Sequence, residues 1–288
     1  MHPRGFLAAL ISINKLRKSH PFQLVHGHGI STLPLARCVG GVFKCPVIIT
    51  LHNVPAPTFI ENVVLKGLAK GVQFIAVSDA VRLSVAFTKQ DKIHTVYNGV
   101  PEQTVQSTRD NARALLALPL DGALVVAVSR LSIEKGLDIL AKAAPYIHAM
   151  VAVVGEGPHR TDLEKLGSVR LIGHVNEPKL WFEAANIVVV PSRTEGLGMT
   201  AIEALSYGRP VVASRVGGLL EVIREPMTGL LIESDDPQVW AARINETLSN
   251  RALCDAALIV GPETVRTRFS IPVMHSKTSQ IYKATLSK

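Results

Sequence analysis

Two carboxylates, Glu195 and Glu203, flank a glycine pair, Gly196 and Gly198, in the stretch Pro191-Ser192-Arg193-Thr194-Glu195-Gly196-Leu197-Gly198-Met199-Thr200-Ala201-Ile202-Glu203-Ala204-Leu205. Upstream, the valine-rich run Asn186 to Val190 fits a fully buried parallel strand, and Met199 to Ser206 is a run of helix formers that stops at Tyr207-Gly208. The glycines therefore fall where a strand hands over to a helix. Such a turn leaves the first helical N–H groups unpaired and favours an anion such as a phosphate. Glu203 lies inside the helix between Ala201, Ile202, Ala204 and Leu205. A carboxylate on so apolar a helix is expected to be buried and to need a partner that donates hydrogen bonds.

The rest of the chain reads as elements that would hold this turn in place. After a basic opening helix, strands are expected over Phe22–His26, Pro46–Leu51, Val72–Val77 and Ile93–Tyr97, alternating with helices over Ser31–Val39, Ile60–Lys70 and Ala80–Phe87, the last capped by Ser78-Asp79. That alternation predicts an open parallel sheet, whose ligands gather beyond the carboxyl ends of its strands, where His26, His28, His52 and Ser78 fall. Residues 101–120 are polar and read as a linker after a first domain over 1–100. A second series of strands (Ala123–Ser129, Met150–Val154, Val169–Ile172, Asn186–Val190, Pro210–Ala213, Gly229–Ile232) and helices (among them Leu137–Tyr146, Pro178–Ala185, Met199–Ser206 and Pro237–Leu248) then fills a domain over 121–270. The expected class is α/β, with two Rossmann-like doubly wound domains facing across a cleft.

At 288 residues and 47% hydrophobic, the chain is long enough for two cores. Cys38, Cys45 and Cys254 are an odd number without metal-ligand spacing, which suits a reduced, cytoplasmic protein without a metal or disulfide framework. The net charge of +8 is N-terminal: residues 1–100 carry 11 Lys and Arg against 3 Asp and Glu, and the remainder carries 20 of each. Aromatic interleaving and nucleic-acid motifs are lacking, so the basic half is read as meeting an anionic acceptor or, peripherally, the inner face of an anionic membrane rather than nucleic acid. A solvated basic face that aids solubility is the plain alternative.

Several motifs in order then carry a resemblance. Glu195 and Glu203 with seven residues between them, Val128-Ser129-Arg130-Leu131 with Glu134-Lys135-Gly136, Gly155-Glu156-Gly157-Pro158, Gly208-Arg209-Pro210-Val211-Val212-Ala213 and Val216-Gly217-Gly218 resemble the donor domain of retaining glycosyltransferases of family 4, which have the GT-B fold. Tyr97-Asn98-Gly99-Val100 resembles their hinge, and Val25-His26-Gly27-His28-Gly29 with Thr50-Leu51-His52-Asn53 resembles their acceptor domain. The resemblance implies retention of anomeric configuration, no cofactor, and a nucleotide sugar (UDP- or GDP-linked) as cosubstrate. It places Arg130 and Lys135 on the donor diphosphate, where preorganised cations stabilise the leaving group. An ordinary ion pair with Glu134 is the plain alternative. It also places Glu195, Gly196, Leu197 and Gly198 beside the donor sugar, Glu203 on the ribose hydroxyls, and Val175, in Gly173-His174-Val175, near the base. His52 would face the donor sugar from the acceptor side, with His26 and His28 shaping that side.

Two departures accompany the resemblance. Family members usually begin with a strand and a glycine-rich loop ahead of the segment that resembles Phe22 to His28, so the N-terminal domain is expected to be incomplete. Phe269-Ser270-Ile271-Pro272 differs from the usual aromatic before the last helix, expected over Val273–Leu286 within a 271–288 segment that crosses back to the first domain. Three functions stay open: transfer of a sugar to a glycan, lipid-linked or polysaccharide-precursor acceptor; nucleotide-sugar binding without catalysis; and epimerisation of a nucleotide sugar.

Overall fold

The computed structural model describes residues 12–13, 22–53, 58–103 and 107–287. The chain divides into two compact units, one running to Tyr97 and resuming at Met274, the other spanning Asn98–Val273. The basic opening helix lies, but for residues 12–13, outside the described residues. Among the described residues no helix is long and apolar enough to cross a membrane.

In the first unit four parallel strands, β1 (Val25–His28), β2 (Val47–Leu51), β3 (Val72–Ala76) and β4 (Ile93–Thr95), lie side by side in chain order. β2 is buried along its whole length and β3 nearly so, which explains why both read as unbroken apolar runs rather than alternating ones. β1 starts later than expected because Phe22 packs edge-on against Phe43, ring centroids 5.4 Å apart, while the strand register begins at Val25 opposite Val47. The helix expected over Ala80–Phe87 stops at Ser84. There the Gln90 side-chain amide donates to the carbonyls of Arg82 and Val85, and Phe87 turns inward onto Phe74. The helix Ile271–Leu286 closes this unit, its Met274, Ile281 and Tyr282 packing against Ile48, Ile75 and Val96.

The second unit has six parallel strands, β5 (Leu124–Val128), β6 (Met150–Val154), β7 (Arg170–Gly173), β8 (Ile187–Val190), β9 (Val211–Ser214) and β10 (Gly229–Ile232), in the order β10-β9-β8-β5-β6-β7. This is the doubly wound order: the chain builds outward from β5 to β7, returns to β8 on the other side of β5, and builds outward again. The strand order therefore reverses between β5 and β8. A large apolar core joins the strands to the helices Leu137–Ala143 and Pro237–Ser249.

Two helices here were not foreseen. Residues 107–120, expected in the linker, fold with the second unit and hold the helix Arg109–Leu115, capped by the Thr108 hydroxyl. Its buried residues are Ala112 and a charged one. Arg113, 3% exposed, donates to the carbonyls of Ala184, Leu120 and Gly122 and to Asn186 Oδ1, so no apolar period marks it. The helix Arg251–Arg268 continues through Pro262, where a break is the usual expectation. Ala257, Gly261, Thr264 and Val265 form its buried side, and Gly261 lies so close to the Leu205 carbonyl that a Cβ would stand 2.7 Å from it.

Candidate active site

The loops leaving β5 and β8 meet at the reversal of strand order, the place where an open α/β sheet has a crevice. Lys135, in a short 3-10 turn after β5, donates from Nζ to Glu195 Oε2 at 2.8 Å. Ser192 Oγ donates to the same oxygen at 3.0 Å. Both charged side chains are mostly shielded, at 23% and 15% exposure, where an ion pair is screened less than on the open surface.

Glycines allow this approach. Gly136, at φ 61°, comes so near the chain after β8 that a Cβ would stand 1.9 Å from the Pro191 carbonyl oxygen. Gly217, at φ 51°, does the same from the loop after β9, 1.9 Å from the Glu195 carbonyl oxygen, and the next N–H, on Gly218, donates to that oxygen at 3.3 Å. A second clamp is electrostatic. Arg193 donates through Nη1 and Nη2 to the two carboxylate oxygens of Asp138 (2.7 and 2.9 Å) and through Nη1 to the Ile133 carbonyl. The bond from Arg193 holds the Asp138 carboxyl below the ordinary carboxylate range and pushes the Arg193 guanidinium up.

Gly198 precedes the helix Met199–Ser206, and Gly196, Leu197 and Gly198 are all buried. The Thr200 hydroxyl donates to the Val128 carbonyl at 2.9 Å, tying the first helical turn to the end of β5. Glu203 is half-buried rather than wholly buried. Its carboxylate makes no hydrogen bond or ion pair among the described residues, and burial pushes its pKa up.

Arg130 shares the loop of Lys135 but points elsewhere: it is exposed and pairs with Glu134. Val175 follows β7, half-buried beside an exposed His174 that shares a hydrogen bond with Asn176. The structure therefore brings Lys135, Glu195 and the 196–198 turn together, and leaves Arg130 and Val175 on neighbouring loops at the same end of the sheet.

In the first unit the three histidines form a stack. The rings of His26 and His28 lie 4.5 Å apart and those of His28 and His52 5.3 Å apart. His28 Nδ1 and His52 Nε2 share a hydrogen bond at 3.1 Å. His26 is held from both sides, by the Tyr282 hydroxyl at Nδ1 (2.5 Å) and by Thr50 Oγ1 at Nε2 (2.7 Å). Burial, and then the neighbouring rings His28 and His52, lower the His26 pKa to about 4, while burial and His28 lower that of His52. Neutral imidazoles of this kind can accept or orient a hydroxyl proton.

Family models described as Glycosyl transferases group 1 and Glycosyltransferase Family 4 match residues 122–250 and 1–104 respectively. The chain belongs to the family 4 glycosyltransferases. A D-inositol 3-phosphate glycosyltransferase of Catenulispora acidiphila is 31% identical to this family 4 member over 82% of the chain. The chain spans 66% of the length of that relative and 60% of a Methanocaldococcus jannaschii glycosyltransferase that is 28% identical. Among solved structures, Anabaena HepE with UDP superposes with a TM-score of 0.84 at 21% identity, covering 94% of this chain and 81% of that one. A Rickettsia africae glycosyltransferase gives 0.87 at 20% identity, covering 99% and 82%. The fold is GT-B.

Three further residues hold the family 4 turn in place: Ser192, Arg193 and Asp138. Ser192 and Arg193 lie in the motif itself, where their hydroxyl and guanidinium were the available signal. Asp138 carries no local signal, because it is 55 residues from the arginine it pairs with.

Proposed function

We infer that this chain transfers a sugar from a nucleoside-diphosphate sugar to an acceptor hydroxyl, with retention of configuration and without a metal ion. The observation that carries the reading is the shielded Lys135–Glu195 pair at the strand-order reversal, set against the start of the helix Met199–Ser206. An ammonium held there meets the negative charge that develops on a departing diphosphate, and it is already oriented when that charge appears. Arg130, exposed on the same loop, adds a second cation by exchanging Glu134 for a phosphate oxygen. The half-buried Glu203 carboxylate accepts from a pair of ribose hydroxyls, a bidentate match. Glu195 orients the donor sugar, Val175 borders the base, and His52, with His26 and His28, orients the acceptor hydroxyl.

HepE has been solved in complex with UDP and with UDP-glucose, which favours a UDP-sugar donor over a GDP-sugar. The acceptor class remains a glycan, a lipid-linked sugar or a polysaccharide precursor. An anionic lipid surface as the working location, on the cytoplasmic face, is supported by one side of the first unit. There the helix Phe59–Leu68 exposes Ile60, Val63 and Val64 at 75%, 56% and 56%. Lys66, Lys70, Lys89 and Lys92 line an open groove beside it. Apolar residues at that spacing flanked by lysines suit headgroup contact, with about 1 kcal/mol per lysine from anionic lipid.

The test is a calorimetric titration with UDP and GDP followed by radiolabelled transfer from the matching nucleotide sugars to a mixed lipid and glycan acceptor pool. Saturable binding and a labelled product are expected, with the product anomer matching the donor. Binding without transfer would support the non-catalytic alternative, and isomerised donor without acceptor the epimerase.

A further inference from the structure

At the opposite end of the second-unit sheet, where β8 and β9 begin, a cavity of about 250 Å³ is lined by Arg109, Arg209 and Arg251 together with Asn186, Cys254 and Asp255. β8 has four residues, which at about 3.3 Å each separate this cavity from the Lys135–Glu195 crevice by roughly 13 Å. The three arginines come from three segments: Arg109 opens the helix Arg109–Leu115, Arg209 precedes β9, and Arg251 opens the helix Arg251–Arg268.

Neighbouring Arg113 shows what a wholly structural arginine does here. It spends four hydrogen bonds on three carbonyls and the Asn186 side chain. Arg209 is nearly as enclosed, at 8% exposure, yet among the described residues donates only from Nε to the Tyr207 carbonyl (3.1 Å) and from Nη1 to the Ala185 carbonyl (3.3 Å). Nη2 makes no hydrogen bond among the described residues, and the side chain lines the cavity. The Arg109 guanidinium makes no hydrogen bond or ion pair among the described residues, and after burial it is the main influence lowering the Arg209 pKa, to about 10. Arg209 therefore stays charged at neutral pH, with the like charge of Arg109 acting against it. The acidic groups near them are few. Asp255 sits 3.8 Å from Arg251, both largely in solvent, and the buried Glu183 acts on Arg209 from beyond ion-pair distance. Burial pushes the Cys254 thiol up, so it adds no negative charge.

Guanidinium forks gathered with so little counter-charge match the oxygens of a phosphate, which each can bind in bidentate fashion. We propose that this cavity is a second anion site, distinct from the donor crevice, that binds a phosphate group, as the free ion or as the ester of a small metabolite, with Arg109 and Arg209 on its oxygens and Arg251 at its rim. The occupied site joins the start of β9 to the first turns of two helices, so the ligand stabilises the second unit.

Thermal unfolding of the full chain in orthophosphate and in chloride at equal ionic strength tests this. At ten times its Kd, orthophosphate raises the midpoint by roughly 3–6 °C over chloride, and alkylation of Cys254 by N-ethylmaleimide, followed on its peptide, slows. The response persists in Lys135→Ala, which separates it from the donor crevice. Arg109→Ala, at an exposed position, and Arg251→Ala each raise the half-saturating concentration roughly tenfold. Glucose 6-phosphate is run alongside: a lower half-saturating concentration, lost in Arg109→Ala, assigns the ester, and an equal or higher one assigns the free ion. A midpoint identical in phosphate and chloride, or half-saturation unchanged in Arg109→Ala, overturns the proposal.

Discussion

Lys135 and Glu195, sixty residues apart in the chain, are joined by a 2.8 Å hydrogen-bonded ion pair that spans the reversal point between β5 and β8. Removing either partner leaves the other charge shielded from water and uncompensated, and on the proposed reading takes away either the cation beside the departing diphosphate (Lys135) or the carboxylate that orients the donor sugar (Glu195). Lys135→Ala and Glu195→Ala are each expected to lower transfer by roughly 10²–10³-fold with the circular dichroism spectrum retained. Near-normal turnover in either variant would refute this assignment.

Glu203 separates binding from stability. Its pKa is raised in the folded chain, so folding is opposed by the ionised carboxylate at pH values above its unfolded range, and that penalty fades as the pH falls. Glu203→Gln is therefore expected to raise the thermal midpoint at pH 7 while weakening UDP binding roughly tenfold by calorimetry. A variant that binds UDP as tightly as the parent would remove the ribose role.

The Gly217 contact is a stereochemical prediction. Gly217→Ala combines positive φ with a Cβ 1.9 Å from the Glu195 carbonyl oxygen, whereas Gly122, also at positive φ (81°), has nothing within 4 Å of its Cβ position. Gly122→Ala should cost about 1–2 kcal/mol in chemical denaturation, and Gly217→Ala distinctly more, with transfer lost because Glu195 moves. Equal costs would show that the loop after β9 yields freely.

His26 makes the first unit acid-sensitive. Its folded pKa is about 4 against an ordinary value of 6.5, so between those values the unfolded chain binds the extra proton. The stabilising contribution is complete above about pH 6.5 and is lost as the pH falls toward 4. His26→Gln is expected to flatten the pH dependence of the thermal midpoint in that window. His28 and His52 in the stack and Tyr282 on the last helix are its neighbours, and a slope unaltered by the substitution would overturn the assignment of the acid sensitivity to His26.

Lipid contact has its own readout. Sedimentation with phosphatidylglycerol vesicles should be strong at low salt and weak at high salt, and should fall in Ile60→Glu and in a Lys66→Glu, Lys70→Glu double variant. Binding that neither salt nor these changes affect would exclude this face.

Much of the second unit follows from local sequence. Met150–Val154, Met199–Ser206 and Gly229–Ile232 have the same limits in the sequence reading and in the structure, because a run of valines on a buried strand or a run of helix formers before a glycine is decided by the nearest few residues. The order of the glycine motifs likewise points to the turn around Glu195 from the sequence alone.

Other features are set by residues far apart. Arg130 and Lys135 read alike in the chain, yet register and loop geometry send one to Glu134 and the other to Glu195. His26 could not be seen to meet Tyr282, which arrives 256 residues later on the closing helix. The helices Arg109–Leu115 and Arg251–Arg268 carry no clear local signature, because one buries an arginine and the other contains Pro262. Composition and period thus determined most of the elements, the α/β class and the candidate motif. The tertiary structure decided which charges pair, because an ion pair depends on where strands sixty residues apart end, and local sequence does not encode that.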